Sequence, residues 1–245
     1  MVLNVQDVYS GYQHTPVIKG VTFDMQAGEI VGLIGLNGAG KSTLLKTILG
    51  LLPLQSGSIT INGQTIVGNH QAYAQQLAYI PETPILYEGM TLREHLEMTA
   101  LGYNLDKAVV MERAQPLLKM FRLDKHLEWF PVHFSKGMRQ KVMIICAMVI
   151  DAKVMIIDEP FLGLDPLAIR DFSQLLKSKA EQGVAILLTT HILSIAPTLC
   201  ERYLLLQAGT LRGQGDLEQL RQDFAMPEAS LDDIYIAMTD EVSPS

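Results

Sequence analysis

The chain has 245 residues, of which 48% are hydrophobic and 18% are charged, and its formal net charge is −7. This composition excludes an intrinsically disordered protein, and the acidic balance argues against a dedicated nucleic-acid binder. The chain has 2 cysteines, too few for a disulfide framework, which fits a reducing compartment. The longest apolar run, residues 142–150, is too short to cross a bilayer.

The first third of the chain is predicted to be rich in β-strands. We expect strands at residues 4–8 and 17–25, where apolar side chains partly alternate with polar ones. The pair Asn62 and Gly63, which lies between two β-rich runs, predicts a hairpin. A short buried strand is expected at residues 77–80, where Pro81 ends it.

A glycine-rich stretch between these strands fits G-x-x-x-x-G-K-[ST], the pattern of a loop that wraps nucleotide phosphates. An apolar run at residues 30–34 precedes it, and a helical pattern follows until Pro53. Backbone N–H groups and the helix N-terminus would bind phosphate oxygens. We expect Lys41 to reach the β- and γ-phosphates and Ser42 to bind Mg²⁺. The structural alternative is a simple strand-to-helix turn. The predicted loop consists of Gly35, Leu36, Asn37, Gly38, Ala39, Gly40, Lys41, Ser42 and Thr43.

Residues 83–150 are predicted to form a mainly helical segment. Thr91 and Glu94 have the spacing of a capping box that opens a helix to about residue 101. Helical spacing returns at residues 107–121. After residue 150, strands and helices alternate, which predicts a parallel sheet. The expected elements are strands at 154–157, 184–190 and 202–207 and a helix at 166–182, followed by a helical tail from 216.

Polar side chains follow two of these strands. Asp158 and Glu159 come directly after the apolar strand at 154–157, and His191 follows the next strand. Ligands bind at the carboxyl ends of parallel strands, so Asp158 can hold Mg²⁺ and Glu159 can deprotonate an attacking water. His191 can hydrogen-bond a γ-phosphate. The structural alternatives are a polar turn after the strand and a histidine without a catalytic role.

The order of these motifs resembles the ATP-binding subunit of an ABC transporter, over nearly the whole chain. The resemblance is carried by the phosphate loop, by residues 134–138 (Phe-Ser-Lys-Gly-Met), by Asp158 and Glu159, by residues 162–165 and by His191. Within that family, the sequence resembles the EcsA-type subunits of bacteria. The segments that carry this finer likeness are residues 79–84, 129–138, 158–168 and 229–235.

The resemblance implies an α/β fold with three parts. These are a phosphate-loop ATPase core with a parallel sheet, an N-terminal antiparallel β subdomain and an inserted α-helical subdomain. It predicts a single ATP-binding domain over residues 1–235, with the β-rich core in 1–82 and 151–215 and the helical subdomain in 83–150. Residues 216–245 would form a C-terminal helical tail.

The resemblance also assigns roles to residues outside the loop. Tyr12 matches the aromatic residue that stacks on adenine, and Val17 would pack beside it. Ser135 and Gly137 match the signature motif that binds the γ-phosphate held by the opposite subunit. Their structural alternatives are an ordinary strand tyrosine for Tyr12 and a helix N-cap for Ser135.

Four residues depart from the usual family pattern. Lys136 and Met138 replace residues of the common L-S-G-G-Q signature, and Leu36 replaces a frequent proline. Glu82 stands where glutamine is usual. A carboxylate there can bind Mg²⁺ more strongly than an amide, so we expect Ser42, Glu82 and Asp158 to hold the metal; a water-facing turn residue is the alternative for Glu82.

The implied function is that of an ATP-hydrolysing motor with ATP and Mg²⁺ as cofactors and Lys41, Glu159 and His191 as catalytic groups. Two copies, or one copy and a paralogous ATPase subunit, would close around two ATP molecules. They would drive a separate integral-membrane subunit of the EcsB type from the cytoplasmic face of the membrane, with export as the expected direction. No nucleic-acid partner is expected.

Two other function classes remain open from the residues alone. One is a soluble ABC-type protein that acts on ribosomes or DNA, a class that usually has two cassettes or long coiled-coil insertions. The other is a phosphate-loop kinase or GTPase. The N-K-x-D motif expected of a GTPase is absent from the sequence.

Overall fold

The computed structural model describes residues 1–13, 15–190 and 192–240. Within these ranges, strands and helices are mixed along the chain, and helices dominate between β6 and β7. The strands are β1 (Leu3–Tyr12), β2 (Thr15–Met25), β3 (Ile30–Ile34), β4 (Leu54–Ile61), β5 (Gln64–Thr65), β6 (Leu77–Ile80), β7 (Val154–Asp158), β8 (Ala185–Thr189), β9 (Arg202–Gln207) and β10 (Thr210–Gly215). The helices are α1 (Lys41–Ile48), α2 (His70–Ala74), α3 (Leu92–Gly102), α4 (Lys107–Met120), α5 (Lys136–Met148), α6 (Pro166–Glu181), α7 (Ala196–Leu199), α8 (Leu217–Asp223) and α9 (Leu231–Asp240).

The strands form two sheets, which confirms the predicted α/β class. A four-stranded antiparallel sheet has the order β2-β1-β4-β5, and a six-stranded sheet has the order β10-β9-β3-β8-β7-β6. In the larger sheet, β9, β3, β8, β7 and β6 run parallel, whereas β10 is an antiparallel edge strand. The predicted Asn62–Gly63 hairpin is confirmed by the pairing of β4 with β5.

The parallel sheet separates two hydrophobic cores. Along β7, Met155 and Ile157 belong to the core shared with α3 to α6, whereas Val154 and Ile156 belong to the core shared with α1 and the antiparallel sheet. Successive side chains of a strand point to opposite faces. Because both faces are covered, the strand is apolar throughout, as is usual for parallel sheets.

The segment between β6 and β7 contains the α-helices α3, α4 and α5 and a short 3-10 helix at Pro131–His133; α3 and α4 were predicted. The predicted capping box of α3 is present: the Thr91 hydroxyl accepts the N–H of Glu94 at 3.2 Å, and the Glu94 carboxylate accepts the N–H of Thr91 at 2.6 Å. The Glu94 carboxylate accepts hydrogen bonds from both the N–H and the hydroxyl of Thr91, and these two bonds lower the pKa of Glu94. None of the helices in the described ranges has the length and apolar character needed to cross a bilayer.

Several local features differ from the sequence prediction, and the short helix α7 is one that was not expected. Helix α1 ends at Ile48 rather than near Pro53, because Gly50 adopts a φ of +73° and stops the helix in the manner of a C-terminal glycine. The short helix α2 and the edge strand β10 were not expected. Both are short or polar elements whose formation depends on the neighbouring strand or loop.

Candidate nucleotide site

The phosphate loop connects β3 to α1, which confirms the predicted strand–loop–helix order. Lys41 is the first residue of α1 and is only 8% exposed. Its Nζ donates hydrogen bonds to the carbonyl oxygens of Gly35 at 2.7 Å and Leu36 at 3.3 Å. The ammonium group therefore lies against the backbone of the loop, where it lines the space that the loop encloses.

The turn between β9 and β10 links the phosphate loop to the antiparallel sheet. The N–H of Gly209 donates to the carbonyl of Ala39 at 2.9 Å, and the carbonyl of Gly209 accepts the N–H of Lys19 at 2.8 Å. Lys19 belongs to β2. Through Gly209, these two hydrogen bonds connect the phosphate loop to both sheets.

A cavity of about 510 Å³ opens in front of this loop. Its volume is in the range of small-molecule sites. Its lining combines the loop with one residue of β2 and three carboxylates. The lining residues are Val17, Leu36, Asn37, Gly38, Gly40, Lys41, Ser42, Thr43, Glu82, Asp158 and Glu159.

The two consecutive carboxylates at the end of β7 both line this cavity. Side chains of adjacent strand residues normally point to opposite faces. Asp158 is the last residue of β7, and Glu159 has a φ of +46°, so the alternation stops between them. Both residues are nearly buried, at 7% and 6% exposed. The left-handed conformation therefore places both carboxylates at one site.

Negative charge predominates around Lys41. Burial lowers the pKa of Lys41, and the nearby carboxylates of Glu159, Asp158 and Glu82 act in the opposite direction. Burial, followed by the charges of Asp158 and Glu82, raises the pKa of Tyr79 to about 12. Among the described lining residues, three carboxylates face one ammonium. An anionic nucleotide would therefore need an accompanying cation.

The donor atoms fit a magnesium ion that is shared with phosphates. The described residues contain no cluster of three or more His, Cys, Asp or Glu side chains that could hold a metal alone. However, Ser42, Glu82 and Asp158 line the same cavity. Mg²⁺ usually takes one or two protein carboxylates and completes its shell with waters and substrate phosphates, which matches this arrangement.

The signature segment, residues 134–138, lies apart from this cavity. Ser135 is the N-cap of α5, and its hydroxyl accepts the N–H of Met138 at 3.3 Å. This bond bears out the structural alternative for Ser135, which can coexist with a functional role. The residues that line the cavity of the described chain do not include Ser135 or Gly137.

The signature segment packs against the loop at residues 161–165. A Cβ atom added to Gly137 would lie 2.5 Å from the carbonyl oxygen of Gly163, so only glycine allows this approach. Lys141 on α5 pairs with Asp165 at 2.8 Å, and this contact lowers the pKa of Asp165. Asp165 also caps α6 by accepting the N–H of Ala168. Helix α5 therefore contacts this loop at Gly163 and at Asp165, the last residue of the loop.

Some predicted site residues lie away from the cavity lining. Tyr12 ends β1 and is 50% exposed, and it does not line the cavity, whereas Val17 does. Gly35 and Ala39 belong to the loop without lining the cavity. His191 lies outside the described residues.

Sequence reasoning missed two residues that support the site, Thr189 and Lys141. Thr189 bonds to both Asp158 and Glu159. In the sequence, Thr189 is one β-branched residue of a strand, and Lys141 is one charge on a helix. Their contacts depend on strand register and helix packing, which local patterns do not report.

Comparison with known proteins agrees with this geometry. A family model described as "ABC transporter" matches residues 18–162. The chain belongs to the ABC transporter family. It is 49% identical over 240 residues to the ABC-type transporter ATP-binding protein EcsA of Bacillus subtilis, covering 98% of this chain and 97% of that protein. It is 34% identical to the SkfA peptide export ATP-binding protein SkfE of the same organism, covering 86% and 87%.

A solved structure of an ATP-binding subunit of an ABC transporter is similar throughout. It has a TM-score of 0.94 and 47% sequence identity, and the match covers 98% of this chain and 100% of that one. The predicted family and its EcsA-type subgroup are thus confirmed. The chain is an ATP-binding ABC subunit with ATPase activity, which decides against a phosphate-loop kinase or GTPase.

The positive φ of Glu159 should make the stability of variants at this position depend on their backbone preference. Asparagine adopts positive φ more readily than glutamine or glutamate. Both Glu159→Asn and Glu159→Gln remove the same charge, so they differ mainly in backbone preference and length. We expect Glu159→Asn to have the higher free energy of unfolding, by about 1 kcal/mol. Urea denaturation without nucleotide measures this difference, and equal midpoints and slopes would contradict it.

Proposed function

We propose that the chain is an ATP-hydrolysing motor subunit that works as a pair, with a second copy of itself or with a paralogous ATPase subunit. The observation that supports this most directly is that the signature residues lie apart from the cavity. The phosphate loop, Asp158 and Glu159 surround one cavity, whereas Ser135 and Gly137 lie outside it. A second chain in head-to-tail orientation would bring its own Ser135 and Gly137 to the open side of the cavity.

The proposed chemistry assigns one task to each group. Lys41 neutralises charge on the β- and γ-phosphates, and the loop N–H groups hold their oxygens. Ser42 and Asp158 would hold a magnesium ion, which would supply further charge neutralisation at the phosphates. Glu159 accepts a proton from the water that attacks the γ-phosphorus, while the bond from that phosphorus to the β–γ bridging oxygen breaks and ADP leaves. His191 hydrogen-bonds the γ-phosphate.

The remaining nucleotide contacts are assigned from the resemblance to ABC ATP-binding subunits. We propose that Tyr12 stacks on adenine, with Val17 beside it. At the γ-phosphate, Ser135 would donate its hydroxyl and Gly137 its N–H from the N-terminus of the partner's α5. Helix α5 has 13 residues, long enough for its dipole to favour an anion there.

The paired arrangement predicts how two variants behave. Glu159→Gln keeps the shape of the side chain but lacks a basic oxygen, so we expect ATP hydrolysis to fall by about a hundredfold or more. With hydrolysis blocked, ATP should hold the pair closed. Size-exclusion chromatography with light scattering should then detect an ATP-dependent dimer.

A second substitution provides the control. Ser135→Asp preserves N-capping of α5 but places a negative charge opposite the γ-phosphate. The double variant with Glu159→Gln should bind ATP and remain monomeric. A Glu159→Gln chain that stays monomeric with ATP, or a double variant that still dimerises, would contradict the pairing.

We further propose that Glu82 is a ligand of the magnesium ion. Its carboxylate lines the cavity with Asp158 and contributes to the field at Lys41. A carboxylate binds Mg²⁺ more strongly than the usual amide. The same charge would repel a nucleotide that arrives without the cation.

Replacement of Glu82 tests this role. In Glu82→Gln, the Mg²⁺ concentration for half-maximal ATPase activity should rise by about tenfold, the equivalent of ~1.4 kcal/mol. Metal-free ATP should bind the variant more tightly, as measured by calorimetry in EDTA. Glu112→Gln, an exposed carboxylate on α4, is the matched control. An unchanged Mg²⁺ dependence would count against the assignment.

We propose that the motor acts at the cytoplasmic face of a membrane on an integral-membrane subunit of the EcsB type, in the direction of export. The names of the relatives support this, since one is a transporter subunit and the other belongs to peptide export. The loop at residues 82–88 begins at the nucleotide cavity with Glu82 and exposes Ile85 at 70% and Tyr87 at 60%. A membrane subunit bound there would respond to the state of the cavity.

Co-purification tests the membrane partner. The tagged chain, extracted from its own cells with detergent, should recover an integral-membrane protein. Ile85→Asp should reduce that recovery at least several-fold and leave the ATPase activity of the isolated chain unchanged. Val67→Asp, which alters an equally exposed residue near β5, should have no effect. Recovery of ribosomes or DNA instead would overturn the transporter proposal.

A further inference from the structure

A buried hydroxyl lies directly beside Asp158 and Glu159, the two consecutive acidic residues of the cavity. Thr189 is the last residue of β8 and is 0% exposed. It is in register with Asp158 on β7 and with Leu33 on β3. The four residues before it in β8, at 185–188, are all apolar. A hydroxyl at such a position is costly unless it is hydrogen-bonded.

The hydroxyl of Thr189 joins the two consecutive acidic residues. It donates to Oδ1 of Asp158 at 2.6 Å and accepts the backbone N–H of Glu159 at 3.0 Å. One side chain thus contacts the carboxylate of the first acid and the backbone of the second. The short distance to Asp158 is typical of a hydrogen bond to an ionised acceptor.

These two hydrogen bonds help to fix the orientation of Asp158 and Glu159. The bond to Oδ1 restricts rotation of the Asp158 carboxylate. The bond from the N–H of Glu159 holds the residue whose φ of +46° turns its side chain toward the cavity. Such a conformation persists only when the surrounding structure supports it. Thr189 provides that support from the neighbouring strand.

We infer that Thr189 is a positioning residue for ATP hydrolysis, which sets Asp158 toward the metal and Glu159 toward the attacking water. When a hydrogen bond that orients a metal ligand or a general base is removed, metal affinity or enzyme activity falls. The inference rests on the proposed roles of Asp158 and Glu159 and deepens them. It concerns the geometry of the acids and not the binding of the nucleotide base or the phosphates.

Three variants separate this role from simple packing in the core. Thr189→Val keeps the branched shape and loses the hydroxyl, which leaves Oδ1 of Asp158 and the N–H of Glu159 without this partner. Thr189→Ser keeps the hydroxyl and loses a methyl group. Thr189→Ala loses both, so the alanine and serine variants give a second comparison if the valine variant does not fold.

The experiment measures ATPase kinetics and, independently, the Mg²⁺ dependence of binding of a fluorescent ATP analogue. In Thr189→Val, we expect kcat to fall by about tenfold or more and the half-maximal Mg²⁺ concentration to rise by about tenfold. At saturating Mg²⁺, the affinity for the analogue should change less than twofold. Thr189→Ser should stay within about twofold of the unmodified chain in all three measurements.

A second buried threonine serves as the control for lost stability. The hydroxyl of Thr47 on α1 bonds to Oγ of Ser10 at 2.7 Å and to the carbonyl of Thr43 at 2.8 Å, and its side chain does not line the cavity. Thr47→Val should lower the free energy of unfolding without changing the Mg²⁺ dependence.

Two results would overturn the inference alone. These are a Thr189→Val variant with unchanged kcat and Mg²⁺ dependence, and a Thr47→Val variant that shifts the Mg²⁺ dependence equally. Failure of the unmodified chain to hydrolyse ATP would instead overturn the proposed function together with this inference. The two failures are therefore distinguishable.

Discussion

The register of the parallel sheet brings the ends of β3, β6, β7 and β8 to one level. Leu33 lies beside Thr189, Thr189 lies beside Asp158, and Ile157 lies beside Ile80. The phosphate loop, the two acids and the loop that contains Glu82 each begin within a few residues of these pairs. A slip of one residue in any strand would turn the polar ends into the core. The apolar interior of the strands therefore protects the geometry of the site.

Burying the charged groups of this site has a free-energy cost. The ammonium of Lys41 and the two buried carboxylates of Asp158 and Glu159 lose hydration on folding, and their mutual attraction compensates for this loss only in part. Lys41 compensates with the carbonyl groups of its own loop, and Asp158 compensates with the hydroxyl of Thr189. Lys41 and Asp158 are thus hydrogen-bonded within the protein, while the cavity lining has excess negative charge. A magnesium-bearing nucleotide fits that imbalance better than a free nucleotide.

Local signals in the sequence were sufficient for the elements that carry them. The phosphate loop, the capping box at Thr91 and the strand before Asp158 were predicted because a few adjacent residues determine each. Strand β10 could not be predicted, since it is a polar edge strand that depends on β9. The left-handed backbone of Glu159 and the bonds of Thr189 were equally inaccessible, because they arise from the register of β7 and β8, which are separated by the whole of α6. Long-range pairing, rather than composition, determines these details.

The close approach of Gly137 to Gly163 links the conformations of two segments. The signature segment, which we propose to contact the nucleotide of a partner, approaches the loop that follows the chain's own Glu159, and Lys141 on the same helix pairs with Asp165 of that loop. A displacement of one segment therefore changes the free energy of the other, and such linkage acts equally in both directions. In a pair of chains, each nucleotide would then influence the acids around the second nucleotide without touching them. The two sites of the pair would behave as one thermodynamic unit rather than as two independent enzymes.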